Sequence, residues 1–308
     1  MHIQTVLGPI QPDALGMTLM HEHTFCDLWE WGGRLSYDAV VDDQELLAEE
    51  LACYRDAGGA ALVDVTPDGV GRNPTGLRRL AEMTQLHLVM GCGWYRERVY
   101  PRCVYELSTN RLADRLVREL VDGVDGSGIR PGIIGELGTE RFHVSPAEER
   151  VFRAAARAQR VVGVTITTHT THFGDLALEQ VALLREEGVP ADRIIIGHLG
   201  ERRSAQDVLE VAATGVFVQI DHVGRPASAG TQPERQRARN VVAVARAGHL
   251  EQVIVSMDIC ANSHMHWNGG HGYDYLVRTF LPLLLEEGLT EAEVHTITVD
   301  NPRRALAY

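Results

Sequence analysis

The sequence contains no lysine, because all 29 basic residues among its 308 positions are arginines. No site in this chain can therefore be built on a lysine side chain. Long hydrophobic runs are also missing, since no stretch approaches the roughly 18 consecutive apolar residues of a membrane-spanning helix. The opening residues, MHIQTVLGPIQPD, lack the basic and apolar regions of a secretory signal peptide. We expect a cytoplasmic protein.

Cysteine is scarce and scattered. The chain has five cysteines and no CxxC pair, which is typical of free thiols in a reducing compartment. The formal net charge of −13 would repel a nucleic acid backbone or an anionic membrane surface. We therefore expect no nucleic acid or membrane partner, and a small molecule as the substrate.

Short β-branched runs alternate with amphipathic segments from end to end, which is typical of parallel strands joined by crossover helices. One helix is predicted to begin at Ser145, with Pro146 and Glu148 in its first turn. Gly188 is predicted to end another helix, and Thr290 begins a second capping box. The eight candidate strands cover residues 19–25, 61–66, 86–92, 132–138, 163–169, 193–199, 216–221 and 252–258.

Eight strands, each followed by a helix, predict a closed (β/α)8 (TIM) barrel, in one domain over residues 1–308 with a short N-terminal strand extension. A doubly wound open sheet is the alternative. It is less favoured because no GxGxxG turn follows the first strand.

Polar residues recur at the carboxyl ends of the predicted strands, where barrel enzymes build their active sites. Residues two apart on a strand point to the same side, so His21 and His23 would both face the barrel interior. The others stand at the ends of the fourth, fifth, sixth and eighth predicted strands, in this order: Glu136, His169, His198 and Asp258.

Four imidazoles and two carboxylates would be costly to bury as bare polar groups, and divalent cations would remove that cost. This set, which contains no thiolate, suits zinc, manganese, cobalt or iron, and a bridging carboxylate makes a two-metal site reasonable. Any single histidine of the set could instead be an ordinary core residue, and a single-metal site is a further alternative.

Several motifs in this order carry a family resemblance: HEH, THT with GHLG, and SMDI, together with VDVTPDGVGRNP and GYDYL. They resemble the phosphotriesterase-related family of the amidohydrolase superfamily over nearly the whole chain. The resemblance implies a (β/α)8 barrel with a binuclear metal centre, and a homodimer.

Matched motif by motif, the resemblance implies that the buried metal is held by His21, His23 and Asp258. The more exposed metal would be held by His169 and His198. The family usually bridges its metals with a carboxylated lysine from the fourth strand, which this chain cannot supply. One branch of the family uses glutamate there, and Glu136 in IIGELG takes that place.

The implied reaction is hydrolysis by a hydroxide that bridges two divalent metal ions, with zinc expected, and with Asp258 as the catalytic proton acceptor. We expect a small carbonyl substrate: a lactone, a carboxylic ester or an amide. A phosphotriester (organophosphate) substrate is the first alternative. A catalytically retired, ligand-binding barrel is the second.

Loop residues near the predicted barrel mouth are candidates for substrate contacts. Tyr95 resembles a tyrosine that lactonases of the family direct at their metals, and the arginines could receive an anionic group. The candidates are Tyr95, Arg72, Arg98, Arg225, Trp29, Trp31, Trp267 and His264.

Some polar residues stay without an assigned role. Ordinary loop packing is an alternative for each tryptophan, and the pair His264 and His266 is assigned to loop structure or substrate contact in preference to a third metal. Asp221 is expected to orient a neighbour such as His198. The roles of His172 and His222 stay open.

Overall fold

A computed structural model describes residues 1–29, 37–171, 175–201, 204–228 and 231–308. Within these residues, eight parallel strands form one sheet in which the strands neighbour one another in chain order. We call them the first to eighth barrel strands: Thr18–Glu22, Ala61–Asp64, His87–Cys92, Ile133–Gly138, Thr165–His169, Ile194–Ile196, Phe217–Ile220 and Val253–Val255.

Backbone hydrogen bonds join the first strand to the segment after the eighth and so close the sheet. The amide of Asp258 donates to the carbonyl of His21 at 3.1 Å, and the amide of His23 donates to the carbonyl of Ile259 at 3.0 Å. An open doubly wound sheet would leave both edges unpaired. The predicted (β/α)8 barrel is confirmed.

Helices follow the strands and cover the barrel. The predicted cap of Ser145 is present as a complete capping box with Glu148, and Thr290 forms a second one with Glu293. The α-helices of the described chain are Gln44–Asp56, Pro74–Thr84, Arg102–Glu106, Thr109–Asp122, Pro146–Val162, Ala177–Glu186, Ala205–Ala212, Glu234–Val244, Leu281–Glu286, Glu291–His295 and Asn301–Leu306.

The apolar side chains form two clusters. One fills the space between strands and helices. The other contains Met20, Val63, Ile195 and Ile254 from the strands together with Ile3 from the N-terminal hairpin. That hairpin pairs Ile3–Thr5 with Gly8–Ile10, as the predicted strand extension.

Three barrel strands end earlier than their sequence pattern predicts. The sixth, seventh and eighth strands stop before His198, His222 and Asp258, which all have left-handed backbone φ of 59°, 59° and 53°. Non-glycine residues rarely adopt this conformation, and where they do it is often at a functional site. These residues therefore lie on sharp turns at the carboxyl end of the barrel.

Candidate metal centre

The carboxylate of Glu136 lies among four imidazoles at the carboxyl end of the barrel. Its Oε2 atom is 3.0 Å from Nδ1 of His169, 3.4 Å from Nε2 of His21 and 3.5 Å from Nε2 of His198. Its Oε1 atom is 3.4 Å from Nε2 of His23. The fourth strand thus places one carboxylate among four histidines, three of them facing Oε2 and one facing Oε1.

Asp258 stands on the His21 and His23 side of this cluster. Its Oδ1 atom is 3.2 Å from Nε2 of His23 and 3.8 Å from Nε2 of His21. Its Oδ2 atom turns away, to Nε2 of His222 at 2.8 Å and to Nη2 of Arg225 at 2.6 Å. One oxygen of Asp258 therefore faces the histidines, and the other faces hydrogen-bond donors.

The far nitrogens of the paired histidines are held by neutral side chains. Nδ1 of His21 lies 3.1 Å from Oε1 of Gln219, and Nδ1 of His23 lies 2.8 Å from Oγ1 of Thr66. Since the Gln219 oxygen can only accept, it fixes the proton of His21 on Nδ1 and leaves the lone pair of Nε2 aimed at the site.

Asp221 orients His198, as the sequence led us to expect. It accepts a hydrogen bond from the backbone amide of His198 at 3.0 Å, and its other oxygen lies 3.1 Å from the Nδ1 atom of that ring. Burial disfavours a charged imidazole, but Asp221 outweighs it and raises the pKa of His198 to about 10. Nε2 of His198 is 2.7 Å from Nδ1 of His169, so both rings point at one place.

The site's carboxylates are strongly acidic. Burial alone would raise their pKa values, but His21 and His169 outweigh it and hold the pKa of Glu136 well below its usual range. In the same way Arg225 and His222 hold the pKa of Asp258 well below its usual range. Burial and the neighbouring His198 lower the pKa of His169 to about 3. The site therefore supplies ionised carboxylates and, at His169, a neutral imidazole.

These residues fit divalent cations. Nε2 of His21 is buried without a hydrogen-bond partner in the described structure, although it faces two carboxylates. Two sets of ligand atoms close enough to share an ion include this histidine: His21 with His23 and Asp258, and His21 with Glu136 and His198. Nitrogen and carboxylate ligands without thiolate suit zinc or another first-row metal.

A cavity of about 360 Å³ opens above the cluster. His169, His198 and Asp258 belong to its floor, and its walls include Leu28, Tyr95, Arg96, Thr170, Arg225 and Cys260. This volume lies near the lower end of the range for small-molecule sites. The cavity therefore admits a small molecule directly to the histidine and carboxylate cluster.

Two of the candidate substrate residues reach this cavity. The Tyr95 hydroxyl lies 3.3 Å from Nδ1 of His169, and Arg225 reaches the carboxylate of Asp258. Arg72 does not reach it, because its side chain is buried against Glu119 at 2.7 Å and Asp125 at 3.3 Å.

The other candidates are not among the described residues that line the cavity. Arg98 is exposed in a single helical turn. Trp29 contacts Tyr37 with ring centroids 4.6 Å apart, and Trp267 packs partly buried against the core. Nδ1 of His264 accepts a weak hydrogen bond from the amide of Cys260 at 3.4 Å. Trp31 and His172 lie outside the described residues.

Sequence reasoning missed a chain of residues behind Asp258. His222 contacts Asp258 through Nε2, and its Nδ1 lies 3.2 Å from Oε1 of Glu201, which also accepts from Arg237 at 3.0 Å. The seventh strand's position next to the eighth could have indicated His222. Glu201 gives no such signal, because only the meeting of the sixth and seventh loops brings it there.

His266 has a separate environment from the metal centre. It bridges Glu50 at 3.0 Å and Asp274 at 3.1 Å, both of them buried carboxylates. Of the two roles expected for it, loop structure or substrate contact, this placement favours loop structure.

In the described part of the chain, no helix combines the length and the apolar character that crossing a membrane requires. The cytoplasmic location, the homodimer and the absence of a nucleic acid partner stay predictions.

Comparisons with known proteins show the family of the chain. The model of the phosphotriesterase family matches residues 1–306. The phosphotriesterase homology protein of Escherichia coli (strain K12) is 34% identical over 290 residues, which are 94% of this chain and 97% of that protein. The N-acetyltaurine hydrolase of Danio rerio is 29% identical, with 99% of this chain and 98% of that protein covered.

A solved structure shows the same likeness. The crystal structure of a lactonase from Listeria monocytogenes superposes with a TM-score of 0.93 at 27% identity, covering 100% of this chain and 99% of that one.

Proposed function

The chain belongs to the phosphotriesterase family, and we propose that it is a hydrolase that uses two divalent cations to cleave a small carbonyl substrate: a lactone, a carboxylic ester or an amide. The observation that carries the proposal is the position of Glu136, whose two carboxylate oxygens each face histidine nitrogens at 3.0 to 3.5 Å.

The proposed ligands divide into two sets that share Glu136. His21, His23 and Asp258 would hold the inner cation, and His169 and His198 the outer one. Zinc is the expected metal. Bound divalent cations would supply a water acidified toward neutral pH and an electrophile for the oxygen of the scissile group.

Asp258 would move the proton, and the residues behind it would hold its carboxylate. The 2.8 Å contact between Oδ2 of Asp258 and Nε2 of His222 requires a proton on that line, because neither atom could otherwise donate. Since the carboxylate is ionised, His222 is the donor of this hydrogen bond. We propose that Asp258 accepts the proton of the attacking water and gives it to the leaving group, while His222, itself held by Glu201, keeps the carboxylate ionised and in place.

The cavity walls would select the substrate. Tyr95, beside His169, is placed to donate a hydrogen bond to a group bound over the outer cation position. Arg96 and Arg225 also line the walls, where each guanidinium is already paired with a carboxylate of the protein: Glu140 at 2.7 Å and Asp258 at 2.6 Å.

The relatives support the carbonyl class. One is named for the hydrolysis of N-acetyltaurine, an amide that carries a sulfonate, and another is named as a lactonase. Phosphotriester hydrolysis is the alternative, because the Escherichia coli relative carries a phosphotriesterase name.

The deciding experiment combines metal analysis with a substrate panel. The protein is loaded with zinc, manganese or cobalt, its metal content is measured, and it is assayed on lactones, esters, N-acyl amides with and without an anionic tail, and phosphotriesters. We expect two ions per chain and the highest kcat/KM on an anionic carbonyl substrate. A preference for phosphotriesters would overturn the substrate class, full activity with one ion would overturn the two-metal centre, and two tight ions without any turnover would favour a retired binding barrel.

A further inference from the structure

Glu22 stands between the two histidines of the HEH motif, yet its side chain turns away from the metal centre. It is completely buried. Oε1 accepts hydrogen bonds from the Ser256 hydroxyl at 2.7 Å and the Met257 amide at 2.8 Å, and Oε2 accepts one from the Ile259 amide at 2.8 Å. The carboxylate thus spans the segment that follows the eighth strand.

The donors to Glu22 flank Asp258 on both sides. Asp258 has a left-handed backbone, with φ of 53°, which a non-glycine residue adopts only when its surroundings hold it there. Glu22 fixes the amides of Met257 and Ile259, and the His21 carbonyl accepts from the amide of Asp258 between them, so three successive amides are tied to the first strand. The direction of the Asp258 side chain follows from this anchorage.

The same contacts close the barrel. The Ser256 hydroxyl accepts from the His21 amide at 2.9 Å, and the Asp258 amide donates to the His21 carbonyl at 3.1 Å. Where the first and eighth strands meet, His21 and His23 therefore lie on one side of the junction and Asp258 on the other. Glu22 joins the two sides by its three hydrogen bonds.

We propose that Glu22 is a positioning residue, which fixes the carboxylate of Asp258 relative to His21 and His23 and thereby forms the inner cation site. The proposal rests on the proposed two-metal function. It requires a carboxylate in particular, because both oxygens must accept. A glutamine of the same size would turn an NH2 group toward one of the donors and leave that donor unpaired.

A purely structural role would have a different signature from a positioning role. If Glu22 only stabilised the fold, its loss would lower the free energy of unfolding and leave the inner cation as tightly bound in the folded protein. If it positions Asp258, Glu22→Gln weakens the inner cation while the outer one, near His169 and His198, stays bound. Metal affinity measured on folded protein separates the two roles.

The test uses the full chain with its metal removed, titrated with Co²⁺ and followed by calorimetry and by the visible absorption of the ion. We expect Glu22→Gln to lower the affinity of one of the two ions by about 10- to 100-fold, the usual effect of losing a group that orients metal ligands. Glu22→Asp, which is too short to reach all three donors, is expected to fall between the variant and the wild type.

Glu148→Gln is the matched control. Glu148 is as deeply buried as Glu22 and also accepts a backbone amide hydrogen bond, from Ser145 at the start of the helix Pro146–Val162. We expect this variant to lose stability in urea but to bind both ions as the wild type does. Wild-type affinity for both ions in Glu22→Gln, or an equal loss in Glu148→Gln, would overturn the proposal.

Ser256→Ala provides a second variant should Glu22→Gln fail to fold. It removes one donor to Glu22 and the acceptor of the His21 amide, and is expected to weaken the same ion to a smaller degree. Unchanged binding of both ions in Ser256→Ala would count against the proposal.

The two proposals can fail separately. A wild-type protein that binds two ions but hydrolyses nothing would overturn the proposed hydrolase, and the affinity test of Glu22 would still apply. A wild-type protein that binds no ion would overturn the two-metal centre. A crystal structure of Glu22→Gln would then decide, since a shifted Asp258 carboxylate supports positioning and an unshifted one contradicts it.

Discussion

The Nε2 atom of His222 lies 2.8 Å from the carboxylate of Asp258, on the side of that carboxylate opposite His21 and His23. His222 is in turn backed by Glu201 at 3.2 Å. A residue proposed to hold a cation with one oxygen is thus connected through its other oxygen to a buried histidine and glutamate. The arrangement holds the second oxygen of Asp258 from behind, through His222 and Glu201.

Replacement of His222 tests this support. We expect His222→Asn to lower kcat by about 10²-fold, the usual contribution of a proton-transfer group, because Asp258 would lose the donor that keeps its carboxylate ionised and in place. KM and the metal content should change little, since His222 is not among the proposed ligands. Steady-state kinetics and metal analysis of the purified variant give the measurement.

His249→Asn serves as its control. His249 contacts Gln252 at 2.6 Å before the eighth strand, at the opposite end of the barrel. It should leave kcat unchanged. A loss of metal in His222→Asn, or an equal fall of kcat in the control, would contradict this role of His222 in proton transfer by Asp258.

Glu136→Gln should empty at least one cation position. Its amide would keep the size of the side chain but lose the charge that faces four imidazoles, and loss of a shared ligand removes a contact from both ions. Metal content after extensive dialysis is the measurement, with Glu148→Gln again as the control. Two retained ions in Glu136→Gln would refute the bridging assignment.

Assembly of the metal centre should not depend on carbon dioxide. A carboxylated lysine requires it, but this chain has no lysine, and Glu136 carries a carboxylate already. Metal-free protein reconstituted in bicarbonate-free buffer should reach the same activity and metal content as protein reconstituted with bicarbonate. Stimulation by bicarbonate would show that another group bridges the cations.

Cation binding should release protons and weaken in acid. Burial opposes a charged imidazole at His23, but Asp258 and Glu136 outweigh it and raise the pKa of His23 well above its ordinary value. The free protein therefore holds a proton there at neutral pH, and a cation must displace it. Affinity should rise with pH until that pKa is passed. Calorimetry in buffers of different ionisation enthalpy measures the protons released, and pH-independent affinity would contradict this account.

Tyr95→Phe should reduce kcat/KM by about 10-fold, which corresponds to roughly 1.4 kcal/mol for one hydrogen bond to the substrate. The variant keeps the ring beside His169 and removes only the hydroxyl that faces the cavity. Tyr105→Phe is the control, because Tyr105 is exposed and its hydroxyl donates to the carbonyl of Glu97. Equal kinetics in all three proteins would remove Tyr95 from the substrate site.

The fold and the principal cluster could be predicted because both depend on regular spacing. Strand and helix units of similar length place His21, Glu136, His169 and His198 at one end of a barrel whatever the details of the loops. The alternation of side chains along the first strand is less regular than the sequence predicts, because its pairing with the second strand shifts register between Leu19 and Glu22.

The partners of loop residues could not be predicted in the same way. Arg72 follows the second strand in sequence, but it pairs with Glu119 from a helix that lies after the next strand. Glu201 and His222 meet because two neighbouring loops fold over each other. Such contacts join residues distant in sequence through irregular backbone, which no local pattern encodes.

The left-handed backbone of His198, His222 and Asp258 places these side chains at the site but lowers the free energy of unfolding. Each such residue costs roughly 1 kcal/mol more than glycine would in that conformation, so the three together take a noticeable part of a typical 5 to 15 kcal/mol of stability. Glycine at these sites would relax the chain and abolish the chemistry. Efforts to make this enzyme more heat-resistant should therefore begin at the far end of the barrel, where the left-handed residues Gln85 and Asp125 have no part in the proposed site.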